Sequence, residues 1–150
     1  LLAAGFLFST SEFVDEIPYD PKLYFYGEEI SLVLRAITRG FGVFHIPNVP
    51  LFHLYNDVSD IKRKLHWDLE EDEDREIKWY EREEKSIERL NKIINNEITG
   101  AFGLGNIKSL QDYQRLSGVD LINMQVLDKQ KAHTSKFLSE LSWQDSPFLI

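Results

Sequence analysis

The sequence predicts a mixed α and β fold, because short apolar runs typical of strands occur beside stretches with the periodicity of helices. The chain has 150 residues, 43% of them hydrophobic and 13% aromatic, which suits one domain with a core. Its formal charge of −8 argues against a nucleic-acid-binding surface, which concentrates Lys and Arg. Cysteine is absent, which excludes disulfides, zinc-thiolate sites and cysteine nucleophiles and fits a reducing compartment.

The predicted strands lie in the first third of the chain. The run from Leu1 to Phe8 is short and continuously apolar, as in a buried strand, and it lacks the basic start of a signal peptide. Because it begins without methionine, we expect residues upstream of it. Two further strand-like runs are Phe41 to Ile46 and Val49 to Tyr55. No apolar run approaches the ~18 residues of a spanning helix, so we expect no membrane-spanning segment.

An aromatic loop separates the first strand from the first helix. Residues 12–26 contain Pro18 and Pro21, which we expect to prevent a regular helix. The aromatic side chains of this loop either make a binding loop rigid or fill a gap in the core, and both interpretations stay open. From Gly27 to Gly40, apolar residues recur at helical spacing, and Gly40 is the expected end of that helix.

A few residues in this half of the chain could carry chemistry. Glu28 and Glu29 fall in the first turn of the predicted helix, where negative charge stabilises the helix, but they could also bind hydroxyls or act as acid or base. His53 could bind a divalent cation or be a half-buried core residue. Trp67 stands beside basic side chains and could stack on a sugar or a base.

The second half of the sequence predicts helices. The acidic run Glu70 to Asp74 is typical of a solvated helix entry rather than of a metal-nucleotide motif. A long helix is predicted from Arg75 to Ile98. Ser109 to Asp112 forms a capping box that opens a shorter helix, and Gly118 ends it.

A series of motifs follows one another along the chain in a consistent order. They are Ala3-Ala4-Gly5-Phe6-Leu7-Phe8, Ile17-Pro18-Tyr19-Asp20-Pro21, Phe25-Tyr26-Gly27-Glu28-Glu29-Ile30, Arg35-Ala36-Ile37-Thr38-Arg39-Gly40, Phe52-His53-Leu54-Tyr55, Gly103-Leu104-Gly105 with Lys108-Ser109-Leu110, and Ser117-Gly118-Val119-Asp120. In this order they resemble the GlcNAc-transferase family, which includes a cytoplasmic enzyme that modifies a protein hydroxyproline, and bacterial relatives. The resemblance covers the chain from Leu1 to Asp120.

The resemblance implies a cytoplasmic enzyme with a GT-A type, Rossmann-like α/β domain. Such an enzyme transfers N-acetylglucosamine from UDP-GlcNAc to a hydroxyl of a protein or glycan acceptor. Residues 1–56 are then expected to form the C-terminal part of the catalytic domain, and residues 57–150 a helical extension packed on it. The Asp-any-Asp half and the uridine-binding strands are expected upstream of Leu1, so we expect this chain to be inactive alone.

The resemblance also implies site residues. A divalent cation, Mn²⁺ or Mg²⁺, would bridge the diphosphate, and His53 matches the family's metal-binding histidine. Glu28 and Glu29 match the acidic segment that shapes the sugar and acceptor pocket, and we expect them to be catalytic. The predicted substrate-binding residues are Asp20, Tyr26 and Gly27, together with Trp67.

Two other function classes stay open at this stage. A non-catalytic carbohydrate-binding module would use Trp67 and the aromatic loop, and would bind sugar without metal or nucleotide. A helical protein-interaction domain organised around the helix from Arg75 to Ile98 would need a partner that covers this helix. Both leave the ordered series of motifs unexplained, so we favour the transferase.

Overall fold

The computed structural model of the protein describes residues 6–44 and 64–133, and this part of the chain is mainly helical. Two short strands pair in an antiparallel register that sets Val119 opposite Val126. The elements, in chain order, are α1 (Ser11–Glu16), α2 (Glu28–Thr38), α3 (Leu69–Asp72), α4 (Trp79–Ile94), a 3₁₀ turn (Gly100–Phe102), α5 (Leu110–Ser117), β1 (Val119–Asp120), β2 (Gln125–Val126) and α6 (Lys129–His133).

Helix α2 is the central helix, because every residue from 31 to 38 is buried. Its bounds confirm the helix predicted between Gly27 and Gly40. Both glycines adopt positive φ, 88° and 92°, a conformation that other residues rarely adopt. Side chains from the neighbouring helices and loops complete one hydrophobic core around it; these are Phe13, Ile17, Leu23, Leu90, Ile93, Ile94 and Tyr113.

The expectation that prolines prevent a regular helix in residues 12–26 is wrong for the first part of that segment. Helix α1 forms there because both prolines follow it, and its N-terminus is capped by Thr10, whose side chain accepts a hydrogen bond from Phe13 N–H at 3.4 Å. The residues after Pro18 do form an ordered loop, as predicted. Phe13 turns inward from α1 and meets Phe41 edge to face at 5.5 Å.

The two predicted strands that fall on described residues do not form there. Phe6, Leu7 and Phe8 are exposed and non-strand, so the described end of the first predicted strand is wrong. Residues 41–44 are likewise irregular, and their apolar side chains Phe41 and Val43 pack on the core without strand pairing. Apolar character alone predicted these strands; it matches the partial burial of Phe41 and Val43, whereas residues 6–8 are neither buried nor paired. The remaining predicted strand residues lie outside the described residues.

Helix α4 is shorter than the predicted helix from Arg75 to Ile98. It begins after Lys78, whose N–H donates to the Glu81 carboxylate at 2.9 Å, and ends before Asn96, which has a φ of 58°. The acidic run is not wholly solvated as expected. Asp72 is buried and accepts a hydrogen bond from Trp79 N–H at 3.1 Å, which satisfies a free donor at the start of α4.

The segment before α5 packs closely on the end of α2. A Cβ atom on Gly103 would lie 2.1 Å from the Ile98 carbonyl oxygen, and one on Gly105 would lie 2.5 Å from the Thr38 carbonyl oxygen. Only glycine fits such approaches. The predicted capping box is confirmed, since Ser109 Oγ accepts from Asp112 N–H at 3.2 Å, and Gly118 ends α5 with a φ of 70°.

The described ranges contain no parallel sheet, so the Rossmann-like GT-A class stays a prediction. The same holds for the domain division at residues 56 and 57. None of the helices in these ranges combines the length and the apolar composition that crossing a bilayer requires.

Candidate active site

The predicted acidic pair lies at the N-terminus of α2. Gly27 caps this end in the left-handed conformation, and its carbonyl accepts a hydrogen bond from Ser31 N–H at 2.8 Å. A Cβ atom at Gly27 would meet the Leu90 side chain at 3.1 Å, so the first turn sits close against α4. Glu28 and Glu29 are both half-buried in this turn.

A third group is coupled to the acidic pair by electrostatics. Partial burial raises the pKa of Glu28, and the negative charge of Glu29 raises it further. Burial also raises the pKa of the Tyr19 hydroxyl, with additional contributions from Glu28 and Glu29. Tyr19 is still 50% exposed, so its hydroxyl is available to a ligand that reaches the carboxylates. Sequence reasoning had not identified Tyr19 as a site residue.

A tight turn comes immediately before the acidic pair. Tyr26 N–H donates to the Tyr24 carbonyl at 2.6 Å, and Phe25 between them has a φ of 54°. Buried Ser86 of α4 holds both ends of this turn. Its hydroxyl oxygen accepts from Tyr24 N–H at 2.9 Å and donates to the Tyr26 carbonyl at 2.6 Å. The backbone around predicted residue Tyr26 is therefore fixed from α4.

The structure brings predicted residue Trp67 to the same turn. The Trp67 ring lies 5.2 Å from the Phe25 ring and 4.3 Å from the His66 ring, in edge-to-face geometry. His66 also lies edge to face with Tyr24 at 5.2 Å. Such contacts stabilise aromatic clusters beyond simple burial. Trp67 is 36% exposed, so one part of its ring stays accessible.

Asp20, predicted to bind substrate, is buried in an ion pair. One carboxylate oxygen accepts from Arg89 Nε at 2.7 Å, and the other accepts from Lys22 N–H at 3.0 Å. The Asp20 side chain has no exposed surface. This geometry suits the support of the loop that carries Tyr19 better than direct contact with a ligand.

Buried Arg35 fixes the same loop from the other side, a role that sequence reasoning missed. Its Nη1 donates to the Pro18 carbonyl at 2.8 Å and to the Ala101 carbonyl at 3.1 Å, and its Nε donates to Ser31 Oγ at 3.1 Å. Burial lowers the pKa of Arg35 to about 10, so the guanidinium stays charged at neutral pH. Its position does not mark it, because Arg35 lies on the side of the predicted helix opposite the apolar stripe of Ile30, Val33, Leu34 and Ile37.

The guanidinium groups of Arg35 and Arg89 both lie near the Phe102 ring, with the ring centroid 6.0 and 5.9 Å away. Cation–π attraction to one ring holds both groups in place. Because Arg35 bonds to Pro18 and Arg89 bonds to Asp20, the residues on either side of Tyr19 are fixed. The loop that carries Tyr19 is thereby fixed by Arg35, which is buried, and by Arg89, which is partly buried.

No group of three His, Asp or Glu side chains within residues 6–44 and 64–133 has the arrangement of a metal site. His53, the predicted metal ligand, lies outside the described residues. The acidic pair alone therefore does not form a metal site in this part of the chain.

A cavity of about 430 Å³ lies at the opposite end of α2, between Thr38, Asn95 and Lys108. None of the predicted site residues lines it. The described groups that could act on a substrate are thus gathered at the N-terminus of α2, on the open surface made by Tyr19, the acidic pair, the aromatic turn and Trp67.

Comparison with known proteins gives one match. The profile of the family described as "Glycosyltransferase (GlcNAc)" matches residues 1–123, which is most of the chain. No curated protein matches the chain, and no solved structure matches it.

Proposed function

Since the chain belongs to the glycosyltransferase (GlcNAc) family, we propose that it transfers N-acetylglucosamine from UDP-GlcNAc to a hydroxyl of a protein or glycan acceptor. The observation that supports this reaction is the acidic pair at the start of α2, which follows directly after a fixed aromatic turn and whose negative charge raises the pKa of Tyr19. These groups offer what hydroxyl-bearing substrates need, namely carboxylate acceptors and an aromatic surface.

Glu28 is the better base of the pair in this proposal. A carboxylate whose pKa is raised towards neutrality holds a proton more readily, so it is suited to accept one from an attacking hydroxyl. As that hydroxyl oxygen bonds to the sugar C1, the bond from C1 to the UDP oxygen breaks and UDP leaves with the electron pair. Glu29 and Tyr19 would orient sugar hydroxyls, while Tyr26 and Gly27 would form the backbone beside them.

Metal dependence is the second part of the proposal. Mn²⁺ or Mg²⁺ would supply charge compensation for the diphosphate of UDP. The described residues do not fit a complete metal site, so its ligands would include residues outside them, with His53 as the one to test. We assign the residues near α2 to the sugar and acceptor rather than to the cation.

The experiment measures UDP release from UDP-GlcNAc by the protein at its natural length, with and without acceptor extracts and with Mn²⁺ or EDTA. Glu28→Gln should lower the turnover number by about 100-fold, the loss typical of a removed general base. Glu12→Gln, at the first turn of α1, is the matched control and should match the unsubstituted protein.

His53→Ala should weaken metal-dependent UDP binding, measured by calorimetry. Unchanged metal affinity would remove His53 from the site. If neither UDP binding nor turnover of UDP-GlcNAc is found, the proposed donor is wrong. If turnover is found and Glu28→Gln leaves it unchanged, the role of Glu28 as base is wrong.

A further inference from the structure

Phe25 has a combination of features that folding does not explain. Its φ of 54° lies in the left-handed region, which bulky residues rarely adopt because the Cβ crowds the backbone. Its side chain is nevertheless 61% exposed, so it gains little from burial. Strained residues of this kind persist where the surroundings fix them, and they cluster at binding sites.

The surroundings of Phe25 fix it from two sides. Ser86, buried in α4, bonds to the backbone of Tyr24 and of Tyr26, which locks the turn. The ring centroids of Trp67 and His66 lie 5.2 and 5.4 Å from the centroid of the Phe25 ring, in edge-to-face geometry, and these contacts set its direction. The result is a rigid aromatic surface held outward from the protein.

The backbone of this turn is unsuited to pairing with an extended peptide. Tyr24 N–H donates to Ser86, and the Tyr26 N–H and carbonyl are bonded to Tyr24 and Ser86. Peptide recognition by strand addition requires free backbone groups. The aromatic surface instead precedes two carboxylates in the chain, since Glu28 is three residues beyond Phe25.

We propose that Phe25 and Trp67 form a stacking surface for a carbohydrate acceptor, with the hydroxyls of that acceptor bound at Glu28 and Glu29. A pyranose ring has one face of C–H groups that packs on an aromatic ring, and a rim of hydroxyls that donate to carboxylates. The inference rests on the proposed function, and it narrows the acceptor from protein or glycan to a glycan.

The test is saturation-transfer NMR with methyl β-galactopyranoside and methyl α-mannopyranoside as probes, on the protein at its natural length. Phe25→Asn removes the ring and supplies a residue that adopts positive φ more easily. Phe8→Asn is the matched control, because Phe8 is exposed and has no aromatic contact in the described part of the chain.

We expect at least one of the two glycosides to bind, with Phe25→Asn weakening its binding about tenfold, the size of a lost aromatic contact. The unfolding temperature of Phe25→Asn should equal or exceed that of the unsubstituted protein, since strain is removed. Phe8→Asn should leave glycoside binding unchanged. These measurements separate a binding role of Phe25 from a packing role. If Phe25 served packing, Phe25→Asn would lower glycoside affinity and unfolding temperature together.

Three results would overturn the proposal: binding of neither glycoside, equal weakening by the two variants, or a clear drop in unfolding temperature for Phe25→Asn. Hydrolysis of UDP-GlcNAc by water, measured on the unsubstituted protein and on Phe8→Asn, keeps the two proposals apart. It should be equal in these two proteins if the donor reaction is correct, and glycoside binding is measurable even if that reaction is absent.

Discussion

The two ends of α2 differ in how their polar side chains are used. Towards its C-terminal end, Arg35 and Thr38 are buried and bonded: Thr38 Oγ1 donates to the Leu34 carbonyl at 2.7 Å and accepts from Gly105 N–H at 2.8 Å. At the N-terminal end, Glu28 and Glu29 stay half-exposed and repel each other. One helix thus stabilises the fold along its buried part and presents two mutually repelling carboxylates at its start.

The largest expected effect comes from breaking the stabilising end. Arg35→Met leaves the carbonyls of Pro18 and Ala101 without their buried donor, so we expect a loss of about 3 kcal/mol in the free energy of unfolding. Urea titration measures it. Arg115→Met, at an exposed arginine of α5, should change stability by no more than about 0.5 kcal/mol.

A loss below about 1 kcal/mol for Arg35→Met would show that the buried guanidinium contributes little to stability. The statement that the buried part of α2 stabilises the fold would then be wrong.

An intermediate effect is expected at Ser86, which connects the stabilising core to the aromatic turn. Ser86→Ala removes both bonds to the turn and leaves Tyr24 N–H unsatisfied, at a cost of about 2 kcal/mol. Glycoside binding should weaken as well, and Ser86→Thr, which keeps the hydroxyl, should restore it.

Ser117→Ala is the matched control for Ser86. Ser117 also makes two hydrogen bonds, to Tyr113 and Val119, so its loss should cost a similar free energy with no change in glycoside binding. If both variants weaken binding equally, the effect follows global stability, and Ser86 does not position the turn.

The smallest expected effect is the pH dependence of stability that arises from Glu28, at the N-terminal end of α2. Because the folded state raises the pKa of Glu28, ionising Glu28 costs stability, and that cost appears as pH rises from the unfolded pKa through the folded one. Glu28→Gln should therefore become more stable relative to the unsubstituted protein as pH rises from about 3 to 7. The gain should stay below about 1 kcal/mol, since solvent screens a partly exposed pair.

The contribution of Asp112 to stability should change with pH in the opposite direction to that of Glu28. Hydrogen bonds from Ser109 and Arg115 lower its pKa to about 2, so its stabilisation is present above the unfolded pKa and is lost as pH falls towards the folded value. Asp112→Asn should therefore lose stability at neutral pH and recover it in acid. Thermal unfolding of both variants across this range tests the two signs, and parallel curves would contradict both.

Local signals in the sequence predicted local features well. The glycines that bound α2 and the capping box of α5 act through neighbouring backbone groups, so their spacing was sufficient to predict them. The predicted strand through residues 6–8 failed because strand pairing depends on distant partners. Burial of Asp72 went unpredicted for another reason: within a run of acidic residues, nothing distinguishes the one carboxylate that accepts from Trp79 N–H.

The residues of the site also divide into those that the sequence indicates locally and those that depend on distant contacts. The acidic pair and Trp67 stood out by residue type and position, and the family resemblance added Tyr26 and Gly27. Tyr19, Arg35 and Ser86 could not be found in this way, because their roles arise from contacts across as many as 66 positions of the chain. Nothing in the sequence around Ser86, which lies in a charged helix, indicates that its hydroxyl bonds to a turn 60 residues earlier.

The distance along the chain between α4 and the loop and turn that it fixes has a consequence for biosynthesis. The contacts from Ser86 and Arg89 reach back 60 to 69 positions, so the ribosome must add this whole length before the turn and the Asp20 loop can lock. At translation rates of roughly 5–20 residues per second, the wait is on the order of 3 to 14 seconds. Until then the three consecutive aromatic residues of the turn lack the bonds to Ser86 that fix their backbone.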